Sequence, residues 1–475
     1  MKVYLQALGC KLNESEIEGW ARRFSAQGDE IVADARDAEV CVLNTCTVTH
    51  VAARKSRQMA RQMARANPNA RIVLTGCYAT MSPREAGALP SVALVVPNRD
   101  KDFLVERVAE NILPIAGCTQ SAISNIGYRI SEANTLSAVR DPQSGIRNPT
   151  LRTRAFVKIQ DGCNMSCTYC IIPLARGKER SRPLRDVVAE VQRLTDAGYQ
   201  EIILTGVQIS VYRAQKPVFL PSTPEAERRG AEKTSFSNLR DLVAAILAET
   251  RVPRLRLTSI APWDFDAALL DLWSDPRLCR HLHFSLQSGS DSVLRRMRRP
   301  YTTAQYARAV EMTREKSPEV GITTDVIVGF PGETDAEFAE SLQFVESVGF
   351  ARVHVFSYSA RDGTPAAHMP DHVADKVKAT RATQMHAVAD ASARAFAARF
   401  VGREMPVLWE AREESGGARE LGSGGENSNF ANWSGYTDNY IRVVTQSDLP
   451  LENRITPTRI ARGDDDVVIG ILNLN

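Results

Sequence analysis

Three cysteines stand within eight positions of one polar run, DGCNMSCTYC at 161–170. Cys163, Cys167 and Cys170 are spaced C-x3-C-x2-C. Thiolates are soft ligands that suit iron–sulfur clusters and zinc. A closed zinc site would want a fourth Cys or His close by, and this loop supplies none. Three thiolates on a cubane cluster leave one iron open to another ligand, which is the chemistry expected here. Buried structural cysteines are the competing explanation, and their crowding into one polar loop argues against it.

A second set is dispersed. Cys10 closes the run LGC, Cys46 closes LNTC and Cys77 closes LTGC, each after a strand-like segment. Parallel strands place their carboxyl ends on one edge of a sheet, where ligands usually bind. Gly9 and Gly76 would let the backbone come close there. A second iron–sulfur cluster on Cys10, Cys46 and Cys77 is the expectation. A cysteine inside a strand is often only a small buried residue, and Cys41, in the middle of EVCVLN, is assigned to that role. Cys118 and Cys279 have no partners in view and are not assigned as ligands. Nine cysteines make an odd count, and metal or catalytic use is a better reading than disulfides.

The elements that must position these residues alternate. In the first hundred or so residues, VYLQAL, EVCVLN, RIVLTG and ALVV read as strands separated by helical segments, giving a parallel α/β sheet over a domain at 1–113. Residues 114–150 mix Pro, Gly, Ser, Asn and Asp and read as a linker. From 151 to 399 six strands recur, at 155–160, 201–206, 254–260, 281–287, 321–330 and 352–359, with helices between them. Six such units predict a partial TIM-type (β/α)6 barrel. The polar stretch 213–237 interrupts the rhythm as a surface insertion, and a long helix is predicted over 371–400. The tail, 400–475, holds short strands around a Gly- and Ser-rich loop at 411–432 and predicts a small β-barrel.

Net charge is only +3, from 59 basic and 56 acidic residues, so the balance as a whole points to no partner. Its distribution does: VAARKSRQMARQMARA at 51–66 and RGKERSRPLR at 176–185 are basic. One such run is ordinarily a solvated helix face, whereas two, each close after a cysteine, favour a phosphate-rich partner. No apolar run reaches the roughly 20 residues of a membrane span. The opening run MKVYLQALGC reads as a strand and not as a signal peptide, so a cytoplasmic protein is expected.

The C-x3-C-x2-C spacing with Tyr169 before its last cysteine resembles the signature of radical S-adenosylmethionine enzymes. In that family the open iron binds the amino and carboxylate groups of S-adenosylmethionine, and an electron from the cluster cleaves it to a 5′-deoxyadenosyl radical. The segments LGCKLNESE, NTCTVT, LTGCYA, VKIQDGCNMSCTYCIIPLARGKERSRP, LQSGSDSVLRRMRRPYT and TDVIVGFPGET together resemble the methylthiotransferases of that class over nearly the whole chain. The tail is similar to their RNA-binding TRAM barrel. The resemblance implies two [4Fe-4S] clusters, S-adenosylmethionine, the anticodon stem-loop of tRNA as partner, and an electron donor such as flavodoxin or ferredoxin. Lys11, the segment NTCTVTHVAARKSRQ and HVFSYSARDGTPAAHM favour the branch that methylthiolates C2 of N6-threonylcarbamoyladenosine. The other branches act on isopentenyladenosine in tRNA or on an aspartate of a ribosomal protein. A non-catalytic iron–sulfur RNA-binding protein is the reading outside enzymology.

The resemblance also suggests cofactor contacts. Gly206 ends the second barrel strand, where backbone would meet the methionine amino group. Gln287 and Ser288, ending the fourth strand, would reach the ribose. Gly329, with Glu333, resembles an element near adenine. Arg176 and Arg299 are candidates for a carboxylate. Each of these positions also suits turn geometry or an exposed arginine. His283 and His354, in strands, are assigned to core or rim. Glu14 departs from the family, where many relatives carry Gln.

Overall fold

The structure is a computed structural model that describes residues 1–112, 153–215, 236–413, 431–462 and 468–472. The predicted linker 114–150 with Cys118, and most of the segments 213–237 and 411–432, lie outside the described residues. The chain divides into two compact units, one of Met1–Leu8, Ile17–Cys46 and Ala53–Leu151, the other of Gly9–Glu16, Thr47–Ala52 and Arg152–Asn475.

The first unit is built on a parallel sheet, β1 (Lys2–Ala7), β2 (Glu30–Ile31), β3 (Val40–Thr45), β4 (Arg71–Thr75) and β5 (Val92–Val96), in the order β2-β1-β3-β4-β5. Side chains alternate across a strand, so Cys41, Leu43, Ile72 and Leu74 pack on one face against Ala60, Met63 and Ala64. Val3, Val40, Val42 and Val73 pack on the other against Trp20, Phe24, Val105 and Val108. Burial on both faces explains why β3 reads as an unbroken apolar run. The basic helix His50–Ala66 buries Ala53, Ser56, Ala60, Met63 and Ala64 and leaves Arg54, Lys55, Arg61 and Arg65 exposed.

In the second unit, β6 (Arg154–Lys158) leads into β7 (Gln160–Asp161), which pairs with β8 (Arg180–Ser181) in a short antiparallel ribbon. That ribbon brackets the three-cysteine loop. Next come β9 (Glu201–Thr205), the ribbon of β10 (Ala214–Gln215) with β11 (Phe236–Ser237), β12 (Arg254–Leu257), β13 (His281–His283), β14 (Gly321–Val328) and β15 (Arg352–Ser357). The rows β6-β9-β12 and β13-β14-β15 are parallel throughout. Single bridges, Leu255 to Leu278 and Ile260 to Phe284, join them. The result is the six-stranded partial barrel expected from the sequence, with β6 and β15 at its two ends.

Helix Asp375–Ala398 packs on β15 and leads to a closed barrel of β16 (Glu404–Glu413), β17 (Ala431–Thr437), β18 (Arg442–Ser447), β19 (Ile455–Arg462) and β20 (Val468–Leu472). Val407, Trp409, Val443 and Ile460 fill its interior. The barrel docks on the core through arginines. Arg254 donates to Pro406 O at 2.6 Å and Tyr436 O at 3.1 Å, and Arg256 donates to Asp438 O at 3.0 Å. Among the described residues no helix is long and apolar enough to cross a membrane.

Candidate active site

The three-cysteine loop begins at Gly162, whose φ is +72°. A Cβ there would fall on the backbone of Lys178 and Gly177. Close approach is what allows Cys163 N–H to donate to Gly177 O at 3.0 Å. Farther along, Thr168 is tied to three places. Its N–H donates to Met297 O at 3.1 Å, its hydroxyl to Arg296 O at 2.9 Å, and its carbonyl accepts from Ala366 N–H at 2.8 Å. Cys170 N–H closes a turn on Cys167 O at 3.1 Å. Tyr169 packs against the cluster of Val293, Met297, Phe330 and Tyr358. All three cysteines are thus fixed by backbone contacts before any metal binds.

Their surroundings fit a cationic cluster. Burial pushes the Cys170 thiol up to about 12 and raises Cys163 as well, so each needs a nearby positive charge to become a thiolate. Bound iron provides that charge. Arg299 adds to it, with Nη1 at 3.3 Å from Cys167 Sγ. Its guanidinium lies 4.5 Å from the Trp263 ring centroid and 5.3 Å from that of Tyr301. Those two rings stack at 5.2 Å. Gly162→Ala is expected to displace the loop and to cut the iron bound after reconstitution to about half, with little change in the far-ultraviolet circular dichroism. Iron assay beside the wild type checks this.

The other predicted cofactor residues are placed as follows. Gly206 sits where a Cβ would press on Ile209 and Gln160 at 2.9–3.0 Å. The turn after it is held by Gln160 Oε1, which accepts from Val207 N–H at 2.9 Å and Gln208 N–H at 3.0 Å. Gln287 has φ +70°, a region non-glycine residues seldom occupy. Its backbone is locked on both sides to β14, by Asp325 O and Ile327 N–H, each at 2.8 Å. The Ser288 hydroxyl is buried and engaged with Ser341 Oγ at 3.0 Å and Ser290 N–H at 3.2 Å, so it holds helix Asp335–Val348. Gly329, at φ +72°, donates its N–H to Glu333 at 2.6 Å, and Glu333 pairs with Arg381 at 2.8 Å.

For the second cysteine set, β1, β3 and β4 are adjacent and parallel, so their carboxyl ends share one edge. Cys46 directly follows β3, and its N–H donates to Ser56 Oγ at 3.1 Å. Cys77 does not end a strand. Gly76, at φ +90°, turns the chain after Thr75, and Cys77 lies on the short helix Gly76–Met81 with Asn98 Nδ2 at 3.6 Å from its Sγ. Cys10 is exposed and lies three residues beyond β1. Its Sγ is 3.8 Å from Asn13 Oδ1, which also accepts from Arg176 at 2.7 Å. Cys41 and Cys279 are fully buried.

Arg176 is therefore an organiser. It is buried and pairs with Glu16 at 3.1 Å and Asp161 at 3.0 Å. Lys158 adds a bond to Glu16 at 3.0 Å. The residues Asn13 and Glu16 escaped the sequence reading. The only hint was two polar side chains on a helix beginning directly after a cysteine.

Two further features emerged. His283, Asp325 and His354, on neighbouring strands, bring their polar atoms within 4.8 Å of one another. A groove of about 670 Å³ runs between β15, helix Asp375–Ala398 and the tail barrel, with Arg352, Arg394, Arg442 and Arg462 among its lining residues.

Residues 157–345 match the Radical SAM superfamily, and residues 2–97 match the uncharacterized protein family UPF0004. A threonylcarbamoyladenosine tRNA methylthiotransferase MtaB of Bacillus subtilis is 36% identical, covering 97% of this chain and 94% of its own. The chain belongs to the radical S-adenosylmethionine methylthiotransferase family. The MtaB of Thermotoga maritima is 35% identical over 86% of both chains. A tRNA-2-methylthio-N(6)-dimethylallyladenosine synthase of Akkermansia muciniphila is 33% identical over 99% of this chain and 98% of its own. Among solved structures, the radical S-adenosylmethionine methyltransferase TsrM of Kitasatospora setae matches with TM-score 0.51 at 16% identity over 77% of each chain, a likeness of fold. This methylthiotransferase is thus an enzyme.

Proposed function

We propose that this methylthiotransferase replaces the C2 hydrogen of N6-threonylcarbamoyladenosine, next to the tRNA anticodon, with a methylthio group. The observation that carries the proposal is the match to the Bacillus subtilis relative over almost the full length of both chains. We assign Cys163, Cys167 and Cys170 to one [4Fe-4S] cluster, and Cys10, Cys46 and Cys77 to a second. When bound, these groups and S-adenosylmethionine supply the electron, the sulfur, the methyl group and the radical that the exchange of hydrogen for methylthio requires.

The chain's own residues do the positioning. Gly162 and Thr168 fix the loop that presents three thiolates. Arg299, clamped on Trp263 and Tyr301, keeps a positive charge at Cys167 and is assigned to the cofactor's carboxylate. Backbone at Gly206 and the constrained Gln287 are assigned to the cofactor's methionine and ribose ends, and Gly329 to its adenine end. Arg176 links Asn13 and Glu16, just beyond Cys10, to Asp161, just ahead of Cys163. Sulfur and radical must meet at one carbon, so this linkage serves orientation.

Exposed arginines and the groove beside the tail barrel suit an RNA backbone. That basic lining favours tRNA over a basic ribosomal protein as substrate. A flavodoxin or ferredoxin is assigned as reductant, and the cytoplasm as the place of action. The test is nucleoside mass spectrometry of tRNA from cells lacking and regaining the gene. Loss and recovery of the methylthio form of threonylcarbamoyladenosine is expected. Loss of the methylthio form of isopentenyladenosine instead would overturn the substrate assignment.

A further inference from the structure

We propose that Lys11, together with His283, Asp325 and His354, forms a subsite for the carboxylate-bearing threonyl group of the substrate nucleoside. The proposal rests on the substrate reading above and makes it residue-specific.

The cluster sits on adjacent parallel strands, with His283 paired in register to Thr323 and Asp325 to His354. His283, Asp325 and His354 are each partly buried, while their strand neighbours Leu282, Ile322, Val326 and Val353 turn to the other face. Polar groups in such a setting are costly unless they are satisfied. His283 is satisfied, with Nδ1 at 3.0 Å from Thr323 Oγ1 and Nε2 at 3.3 Å from Asp325 Oδ2. His354 is partly buried, and among the described residues its ring nitrogens have no hydrogen-bond partner.

Lys11 is the second unspent group. It is partly buried and within electrostatic reach of Tyr440, Arg154, Arg256 and Asp325, and of His354 and His281. Among the described residues its ammonium makes no hydrogen bond or ion pair. A cation drawn out of water without a partner is a poor structural device and a good anion receptor.

A bound divalent metal fits the cluster less well. The lysine charge would oppose it, and both nitrogens of His283 are already engaged. The ligand that answers these groups carries an anion for Lys11 and hydrogen-bonding groups for His354 and Asp325. A threonylcarbamoyl substituent offers a carboxylate, a hydroxyl and urea N–H groups. An isopentenyl substituent offers none of these. Lys11 also directly follows Cys10, so holding the substituent there would bring the base beside the proposed sulfur-bearing cluster.

The experiment measures binding of anticodon stem-loop RNA to the anaerobically reconstituted protein by fluorescence anisotropy. Stem-loops carry adenosine, threonylcarbamoyladenosine or isopentenyladenosine at the target position. The wild type is expected to favour the threonylcarbamoyl form over adenosine by about tenfold, the worth of one charge-assisted bond. Lys11→Met should erase that preference, and Lys11→Arg should keep part of it. The adenosine stem-loop, which makes no demand on the subsite, reports in each variant that RNA is still gripped. A preference that survives in Lys11→Met overturns the subsite while leaving the substrate reading intact. A wild type that instead prefers isopentenyladenosine overturns both.

Discussion

Cys163→Ala is expected to abolish S-adenosylmethionine cleavage while the protein stays folded and keeps about half of its iron. Two observations separate these effects. Cys163 is partly exposed, and it contributes its N–H to Gly177 O, a bond that any residue can make. The loop is also held through Thr168 to Met297, Arg296 and Ala366, none of which depends on the Cys163 thiol. Removing one partly exposed sulfur therefore costs about 1 kcal/mol or less. Its effect on the cluster is far larger, because a cubane on two thiolates loses a ligand and an open iron is no longer presented in a fixed place. Release of 5′-deoxyadenosine under reducing conditions should fall below detection, and methylthiolation with it. Iron content should fall to about half if Cys10, Cys46 and Cys77 hold their own cluster. A variant that still cleaves S-adenosylmethionine would refute the radical assignment, and one that loses all its iron would refute the independence of the second set.

How much of this was legible in the sequence depended on where the signal lay. Six barrel strands were readable because each is a short stretch of three to eight residues with recurring apolar side chains between helical segments of ordinary length. The three-cysteine loop was readable because its chemistry is local. The tail was readable as a small β-barrel from its short strands, and the structure closes it by pairing distant segments such as β16 with β19. Cys77 was placed at a strand end, and the structure has it as the second residue of a short helix. That difference follows from Gly76, whose positive φ bends the chain one residue earlier than the apolar run implies. The interactions that couple distant segments were invisible. Nothing in the run RGKERSRP distinguishes Arg176, buried between Glu16 and Asp161, from the exposed Lys178. His283 and His354 looked like isolated polar residues until β13, β14 and β15 placed them on either side of Asp325.

The same blindness to long-range pairing hid a heavily charged interior site, and Glu201 is where the largest stability effect is expected. Glu201 opens β9 and is paired in register with Arg154 of β6 on one side and Arg254 of β12 on the other. Arg256 grips its carboxylate twice, at 2.7 and 2.8 Å, and Arg154 and Arg254 stand 3.9 Å away. Burial by itself would raise the carboxyl, but Arg256 and then Arg154 and Arg254 overcome it and hold Glu201 at about 2. The same guanidiniums reach the tail barrel, Arg256 at Thr437 O and Asp438 O, Arg254 at Pro406 O, and Arg154 at Glu410. Glu201 thus supplies negative charge among three of the cations that dock the barrel on the core, with Glu410 also answering Arg154. Glu201→Gln leaves the buried Arg256 without its paired carboxylate, which costs about 3–5 kcal/mol. Thermal unfolding should show a markedly lower midpoint, with an early step from release of the tail barrel. The sign with pH follows from a folded-state pKa lying below the unfolded value of 4.5. The stabilisation from Glu201 is complete above about 4.5 and is lost as pH falls through about 2. Acid unfolding of the wild type should therefore show a component in that window that Glu201→Gln lacks. An unchanged midpoint in the variant, or an acid transition of equal size in both proteins, would refute this role for Glu201.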